Sequence, residues 1–597
     1  MIWHLGFWHH PVAMAVVALI LLGAGRGLAS DAGHGFSPLG SLRYPANFEA
    51  FDYVNPSASK GGTLRFGSTV NFDSTNPMRS PGKMPNLLAY SFDSLMVRAE
   101  DEAASYYGLL AQRVRVAPDL SSLEVSLRES ARWHDGTPVT AEDVRFTFET
   151  LRAHGLPAYR NALRGVSIDI TPPRRIVFRN DEPGNWRYLD VVATFPIQSK
   201  RFWSERDPSA GTLDVPLGSG PYRVETLLLN DRVTMARVED YWGRDLPVSR
   251  GQWNFERIET VLFNDATAMI EALKTGLIDM RRENDALLWQ KAYQGAALDA
   301  GEIVLDSFAR PGAGQMMSLV FNRRRAPLED IRVREALALA FDAEWTRQTL
   351  FGGLYAPMVG FYGNTELGAV GPITPEERAL LAPFAAALPE GLSAMPSPPT
   401  PFGADRRLRL RRADKLLTEA GWVVRDGQRV KVETGEPLTL RYVGAHASLE
   451  RILTPYAQNL ARLGITLSIE VFDYIVGRRR ILNHDFELTA LGWTPSVPAG
   501  EQEALFWHSV QAVDHGYGLA GMQIPAVDAT IETMRGARSL EEILPATRAL
   551  DRLLRWDHAV IPLWQSDEIW IAHDAALRFP SGGTYRDPVA TWWYEAP

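Results

Sequence analysis

Arg132-Trp133-His134-Asp135-Gly136-Thr137-Pro138-Val139-Thr140-Ala141-Glu142-Asp143-Val144 is the stretch that says most about this chain. It joins a tight turn to a helix start. Asp135-Gly136 supplies the position for positive φ, and Pro138 fixes the exit. Thr140-Ala141-Glu142-Asp143 reads as a capping box, with Asp143 in the N3 role usually taken by Glu. The helix it opens sets Val144, Phe148 and Leu151 on one face. Upstream, Leu123-Glu124-Val125-Ser126-Leu127 alternates with period two, as a half-buried strand does.

Working outward, strand and helix signals stay interspersed, which predicts an α/β fold. Gly62 to Gly67 reads as a strand, followed by the polar turn 71–77. Gly218-Ser219-Gly220-Pro221-Tyr222 is a tight turn. Ala268 to Thr275 is an amphipathic helix ending at Gly276, a good C′ residue. Leu319 to Asn322 reads as a buried strand, and Asp330 caps a helix expected over 331–350. Residues 384–404, rich in Ala, Pro, Gly and Ser, predict an exposed excursion. Arg411 to Ala420 and Glu450 to Leu463 predict helices, with strands at 438–443 and 465–472. Ser539-Leu540-Glu541-Glu542 starts another helix. Pro545 lies inside it, where proline costs about 3 kcal/mol, so a restart is expected there. The tail 559–570 reads as one or two buried strands interrupted by Pro562. No repeat period and no clean interdomain linker are visible.

The chain has 597 residues and a mass of 66.4 kDa. At about 100–200 residues per domain, roughly two to four cores are expected. Apolar residues are 46% and charged residues 22%, which excludes a disordered chain. The net charge is -9 and the pI about 5.8, so no large basic field for nucleic acid exists. There is no cysteine. That removes disulfides, thiolate nucleophiles, Cys-ligated zinc, iron–sulfur clusters and any lipid anchor attached through cysteine. The 17 Trp point to deep cores or to an aromatic-lined binding surface.

Ala13 to Leu22 is an unbroken apolar run, followed by Gly23, Ala24, Gly25, Gly27, Ala29 and Ser30. This is the shape of a secretory signal peptide over residues 1–29, with cleavage after Ala29. Its basic lead-in is weak, with only the α-amine and His4, His9 and His10. The run is too short to span a bilayer comfortably, and no other stretch approaches roughly 18 consecutive apolar residues. A freely diffusing periplasmic protein is the expectation.

Catalytic signatures are missing. Lys60-Gly61-Gly62-Thr63 has P-loop letters in the wrong order, and no His-Glu-x-x-His occurs. Gly218-Ser219-Gly220 is not a nucleophile elbow. The doublets His134-Asp135, His484-Asp485 and His573-Asp574 sit at turns or strand ends. Glu501 and Glu503 form an acidic pair, but spacing i, i+2 does not aim two carboxylates at one atom. No metal, cofactor or catalytic residue is expected.

The opening stretch, together with Gly218 to Tyr222 and Asp330-Ile331-Arg332-Val333-Arg334-Glu335-Ala336-Leu337, resembles three ordered signature blocks of one family. It is extracellular solute-binding protein family 5, the receptors of peptide and nickel ABC importers. Leu42 to Pro45, Phe51 to Pro56, Arg98 to Glu102, Tyr241 to Val248 and Arg281 to Asn284 resemble its YejA-type branch. The resemblance implies a two-lobed periplasmic binding protein of the large cluster (type II), with an extra subdomain on lobe I and a hinge cleft. By it, lobe I holds residues 31–76, 205–312 and 564–597, the inserted subdomain 77–204, and lobe II 313–563. The chain would cross the hinge near Gly314-Gln315 and return near Leu563-Trp564-Gln565. It also implies capture of oligopeptides or peptide-like compounds, an inner-membrane permease with its ATPase subunits as partner, and a monomer.

A peptide is held by its backbone and its charged ends. Asn71, Phe72, Asp73, Ser74 and Asn76 lie on a polar turn after a strand, as a cleft loop should, or serve that turn alone. Gln315 stands at the hinge, and Met316 and Met317 beside it line an adaptable pocket or fill the core. Gly492-Trp493-Thr494-Pro495 resembles the family block whose loop meets the ligand, with Trp493 either cleft wall or core. Trp564 is the other tryptophan placed in the cleft. Many family receptors carry an Asp soon after this Gly-Trp to fix the ligand ammonium. Here it is missing, and Glu501 is the candidate to replace it. Gly518 stands where an Asn is common. Arg323, Arg324 and Arg325 form a basic cluster, read as a solvated face. The alternatives are a receptor for muropeptides or other modified peptides, a secreted hydrolase, and a chaperone-like binder of unfolded chains.

Overall fold

The computed structural model describes residues 32–78, 83–182, 184–312, 314–363, 365–398, 405–445, 447–495, 499–513 and 515–595. The expected leader, residues 1–29, lies outside them. Two large sheets organise the molecule. The first has the strand order Ile303–Ala309, Glu568–Asp574, Met280–Glu283, Thr63–Ser68, Arg257–Leu262, Arg232–Arg237, Tyr222–Leu228. The second runs Thr466–Val471, Thr439–Gly444, Leu488–Trp493, Gln315–Phe321, Val560–Ser566. A third, antiparallel sheet of Ala111–Val116, Ser122–Leu127, Arg175–Asn180 and Val166–Thr171 carries its own apolar core with Trp133, Phe148 and Trp203.

Two neighbouring strand pairs join the large sheets. Ile303–Ala309 leads into Gln315–Phe321, and Val560–Ser566 leads into Glu568–Asp574. The pairs run antiparallel, with Ala309 opposite Glu568 and Gln315 opposite Ser566. This two-strand crossing is the hinge of a two-lobed α/β molecule. The chain returns at Asp567, between Ser566 and Glu568, so Trp564 belongs to a strand of the second sheet and not to the crossing itself.

The three signature blocks hold the frame. Thr140 Oγ1 accepts from the Asp143 N–H, and Asp143 Oδ2 accepts from the Thr140 N–H, completing the box. The His134 N–H donates to Gly218 O at 2.8 Å, and its ring Nε2 lies 2.9 Å from Gly220 O. Ser219 and Gly220 N–H both donate to Ser91 O. A Cβ on Gly220 would lie 2.6 Å from Tyr90 O and 2.7 Å from Phe92 N, so only glycine fits. The neighbouring Asp93 carboxylate is fully buried and accepts from Tyr241 Oη and Trp242 Nε1. Burial pushes its pKa up to about 7, against the pull of those donors. In the third block, Arg334 is 1% exposed and bonds Asp557 Oδ1 and the carbonyls of Leu328 and Glu329. That block is structural as well.

Three local expectations change. The helix expected over 331–350 is two, Ile331–Ala340 and Ala343–Phe351. Asp342 between them caps the second by accepting from the Trp345 N–H, and a capping side chain starts a helix where periodicity alone sees a continuation. Pro545 does not restart its helix, which runs unbroken over Leu540–Trp556. It sits in the early turns, where one lost N–H is outweighed by a buried face that includes Ile543, Leu550 and Leu554. Pro562 does not interrupt Val560–Ser566 either. Pairing jumps from Ser318–Pro562 to Met317–Trp564, a bulge at Leu563 on an edge strand, where proline is tolerated.

Candidate ligand-binding cleft

Strand direction locates the cleft. In the first sheet Thr63–Ser68 runs parallel to Arg257–Leu262 and to Met280–Glu283. Pairing of Glu283 with Trp570 and of Met280 with His573 turns their carboxyl ends toward the hinge. In the second sheet Thr439–Gly444 runs parallel to Thr466–Val471 and to Leu488–Trp493, and Trp493 pairs with Met316 at the hinge end. The parallel strands of both sheets therefore end at the gap between the lobes. Open α/β sheets bind ligands outside the carboxyl ends of their strands. The lip of the first lobe comprises residues 68–73 and the hairpin tip 228–231. That of the second comprises 472–474 and Thr494, directly after the strand that ends at Trp493.

The residues expected at the site divide into two groups. Asn71, Asp73, Gln315 and Thr494 are exposed. Asn71 bonds Asn230 on the hairpin tip, and Asp73 Oδ1 accepts from the Lys83 N–H. The others are packed inward, in place of a free cleft-loop or wall position. Phe72 lies in the core of the first lobe. Ser74 Oγ donates to Thr212 O, and Asn76 Nδ2 donates to Pro208 O and Ala210 O. Their side chains fasten the turn to the strip 208–214, because a buried polar group needs an internal partner. Met316 is fully buried, and Trp493 is 2% exposed with its Nε1 donating to Phe361 O at 2.6 Å. Trp564 is half-buried and stacks on Tyr355 at 5.4 Å.

That stack continues. Tyr355 also stacks on Trp570, and Trp570 on Trp289. Trp564 and Tyr355 come from the second lobe, Trp570 and Trp289 from the first. Aromatic rings thus bridge the lobes along one flank of the hinge, beside an Arg451–Asp285 ion pair at 3.0 Å. Part of the tryptophan excess serves this purpose.

Glu501 lies on the other flank. Its carboxylate pairs with Arg187, from the helix Arg187–Thr194 beside the third sheet, and with Arg535 Nε at 2.9 Å. Burial raises its pKa and Arg187 pulls it back. Glu503 is fully buried. It accepts from the Gly500 N–H at 2.6 Å and from Tyr362 Oη at 3.0 Å. The acidic pair is therefore one helix lock and one bridge between lobes. Arg187 and Arg535 escaped sequence reasoning because nothing in their local pattern announces a partner so distant in the chain.

Other sequence features find structural roles. Arg323 pairs with Asp557, and Arg324 donates to Val513 O and Gly518 O, so this cluster is bonded inward and not a purely solvated face. A Cβ on Gly518 would run into Gln511 O, so an Asn does not fit there. Gln565 is fully buried at the hinge, and its Oε1 has no partner among the described residues. A cavity of about 620 Å³ lies apart from the cleft. It lies inside the second lobe among Leu339, Phe341, Trp345, Met358 and Leu563, next to residues 397–398 and 406. Among the described residues no group of acidic or histidine side chains is arranged to hold a metal ion, and no helix is long and apolar enough to cross a membrane.

Known proteins place this geometry. The model described as Bacterial extracellular solute-binding proteins, family 5 Middle, matches residues 105–511. The chain is 34% identical over 588 residues to the uncharacterized protein YejA of Escherichia coli (strain K12), covering 98% of this chain and 97% of that protein. It is 34% identical over 617 residues to the peptidoglycan-binding protein YepA of Agrobacterium fabrum, covering 98% and 99%. The oligopeptide-binding protein AppA of Bacillus subtilis, solved with a nonapeptide, shares the fold with a TM-score of 0.67 at 16% identity, over 90% of this chain and 100% of that one. The chain therefore belongs to the bacterial extracellular solute-binding proteins of family 5, substrate-binding components of ABC importers, and within them to the YejA-type branch.

Proposed function

We propose that this protein captures oligopeptides or peptide-like compounds between its lobes and passes them to an inner-membrane permease driven by ATPase subunits. It works as a periplasmic, non-enzymatic monomer released after leader cleavage. The observation that carries this reading is the meeting of parallel strand ends from both sheets at one gap, spanned by a two-strand hinge. In the proposal lobe I comprises residues 31–76, 205–312 and 567–597 with the insertion 77–204, and lobe II residues 313–566. Asn71, Asp73, Gln315 and Thr494 are the proposed ligand contacts, because they are exposed there. Val70, Leu228 and Leu229 give the same lip an exposed apolar surface, which suits a ligand with side chains of any kind.

A second reading, a receptor for muropeptides or other modified peptides, is favoured by one observation. The Glu501 carboxylate is already taken by two guanidinium groups, so an unblocked ammonium gains little there. Likeness to a peptidoglycan-binding relative supports the same reading. A thermal-shift panel of free peptides, N-blocked peptides and cell-wall fragments tests both. A ligand at one hundred times its dissociation constant adds about 2.7 kcal/mol of apparent stability. Shifts with peptides of both kinds support the first reading, and shifts with cell-wall fragments alone support the second. No shift with any member, together with cleavage of the peptides, would replace both with a hydrolase.

A further inference from the structure

The Glu501 carboxylate joins two bodies. Arg187 opens a helix packed into the core around the third sheet through Tyr188, Leu189 and Val192. Glu501 opens the helix Glu501–Trp507 of the second lobe, and Arg535 ends Pro525–Gly536 beside it. The position of Glu501 is fixed from behind. The buried Glu503 ties the helix start to Gly500, and Gly500 packs on the stem of Arg535, where a Cβ would lie 2.9 Å from Arg535 Cγ. The same two bodies touch again nearby, since a Cβ on Gly184 would run into the guanidinium of Arg538, just past the helix that carries Arg535. Two contacts between the same pair of bodies make an interface. The other charged groups around it are Glu532, paired with Arg535, and His508, beside Glu532 and Asp528.

We propose that Glu501 is a closure group, whose carboxylate links Arg187 of the first lobe to Arg535 of the second, and that it does not anchor the ammonium of a ligand. Each partner is between a quarter and a third exposed, at 26% for Arg187, 30% for Glu501 and 33% for Arg535. Ion pairs of that exposure are weak and screened by salt, which suits a contact made and broken in every cycle of capture and release. On opening, Glu501 keeps Arg535 while Arg187 is hydrated. Closing restores the second pair. Two cations on one carboxylate leave no surplus negative charge there for a peptide amine. The receptor should therefore take N-blocked and free peptides alike at this end of the cleft. That consequence for the ligand rests on the peptide-receptor reading; the closure role does not.

The missing cysteine makes the test clean. Glu149→Cys and Glu541→Cys place one spin label on an exposed helix position of each body, and the distance between them reports closure. In the doubly labelled chain, Glu501→Gln and Arg187→Met should each cut the closed-to-open ratio several-fold, while Arg187→Lys keeps it. Added 0.5 M NaCl should open the parent and leave the Glu501→Gln chain unchanged. An unaltered distribution in both variants and in salt would overturn the closure role. In titrations with matched free and N-acetylated peptides, Glu501→Gln should weaken both equally. A loss confined to free peptides would return Glu501 to the ammonium. If no peptide binds, the functional reading fails, and the distance measurement still decides the closure role.

Discussion

The two flanks of the cleft are built from opposite chemistry. On the hinge flank, Trp289, Tyr355, Trp564 and Trp570 stack across the lobe boundary, and Trp570 is 3% exposed. On the far flank, the lobes meet through Arg187, Glu501 and Arg535, all partly solvated. Apolar stacking gains from burial and is insensitive to salt. A solvated ion pair is worth about 1 kcal/mol or less and yields to salt. One molecule thus joins its lobes by buried apolar contact on one side and by solvated charge on the other, and under the closure proposal only the second is made and broken. The aromatic contacts lie beside the two-strand crossing, and the ion pairs join the second lobe to the helix beside the third sheet.

The contrast can be broken from the strong side first. Trp570→Ala should destabilise the protein by about 3–5 kcal/mol in urea unfolding, because a large buried ring leaves a cavity at the crossing. A loss under about 1 kcal/mol would mean the stack does not hold the hinge. The buried frame offers the next test, through Asp93. Folded, its carboxyl keeps its proton up to about pH 7, whereas an unfolded Asp ionises near pH 4. The native state therefore binds the extra proton between those values, and this group's contribution to stability falls as pH rises from about 4 to 7. The stability of the parent relative to Asp93→Asn should shrink by more than about 1 kcal/mol from pH 5 to pH 8. A constant gap would show that Asp93 stays ionised. Half-buried Trp564→Ala should cost less than Trp570→Ala, about 1–3 kcal/mol. Equal losses would mean the second lobe depends on the stack as much as the crossing does. Glu501→Gln should change unfolding stability least, by about 1 kcal/mol or less. A larger loss would make it part of the frame.

This contrast also separates what the sequence says from what it hides. Asp143 acts through Thr140, its neighbour in the chain, so capping announces it. His134 and Gly220 meet partners far along the chain and are announced only by the signature blocks they stand in. The resemblance of the three blocks then carries the whole two-lobed fold, because those blocks are its buried joints. The cleft is harder to read. Ser74 and Asn76 look like site residues by type, and only the distant strip 208–214 shows that they serve a turn. Trp493 has the composition of a cleft wall, yet Phe361, from a different segment, takes its indole N–H. Glu501 has the charge for an ammonium, but its two arginines lie far along the chain in different elements. Side chains whose partners are remote in sequence carry no local signature. Pro545 and Pro562 show the same limit for elements, where tertiary packing overrides a local penalty.

Capture of a peptide between the lobes is tested most directly by native mass spectrometry of the protein isolated from the cells that produce it. One molecule of peptide or peptide-like mass bound per chain, and lost when added peptide competes for the cleft, is the expected result. A chain carrying a ligand without amide bonds, or one that stays bare when saturating peptides and cell-wall fragments are added, would contradict it.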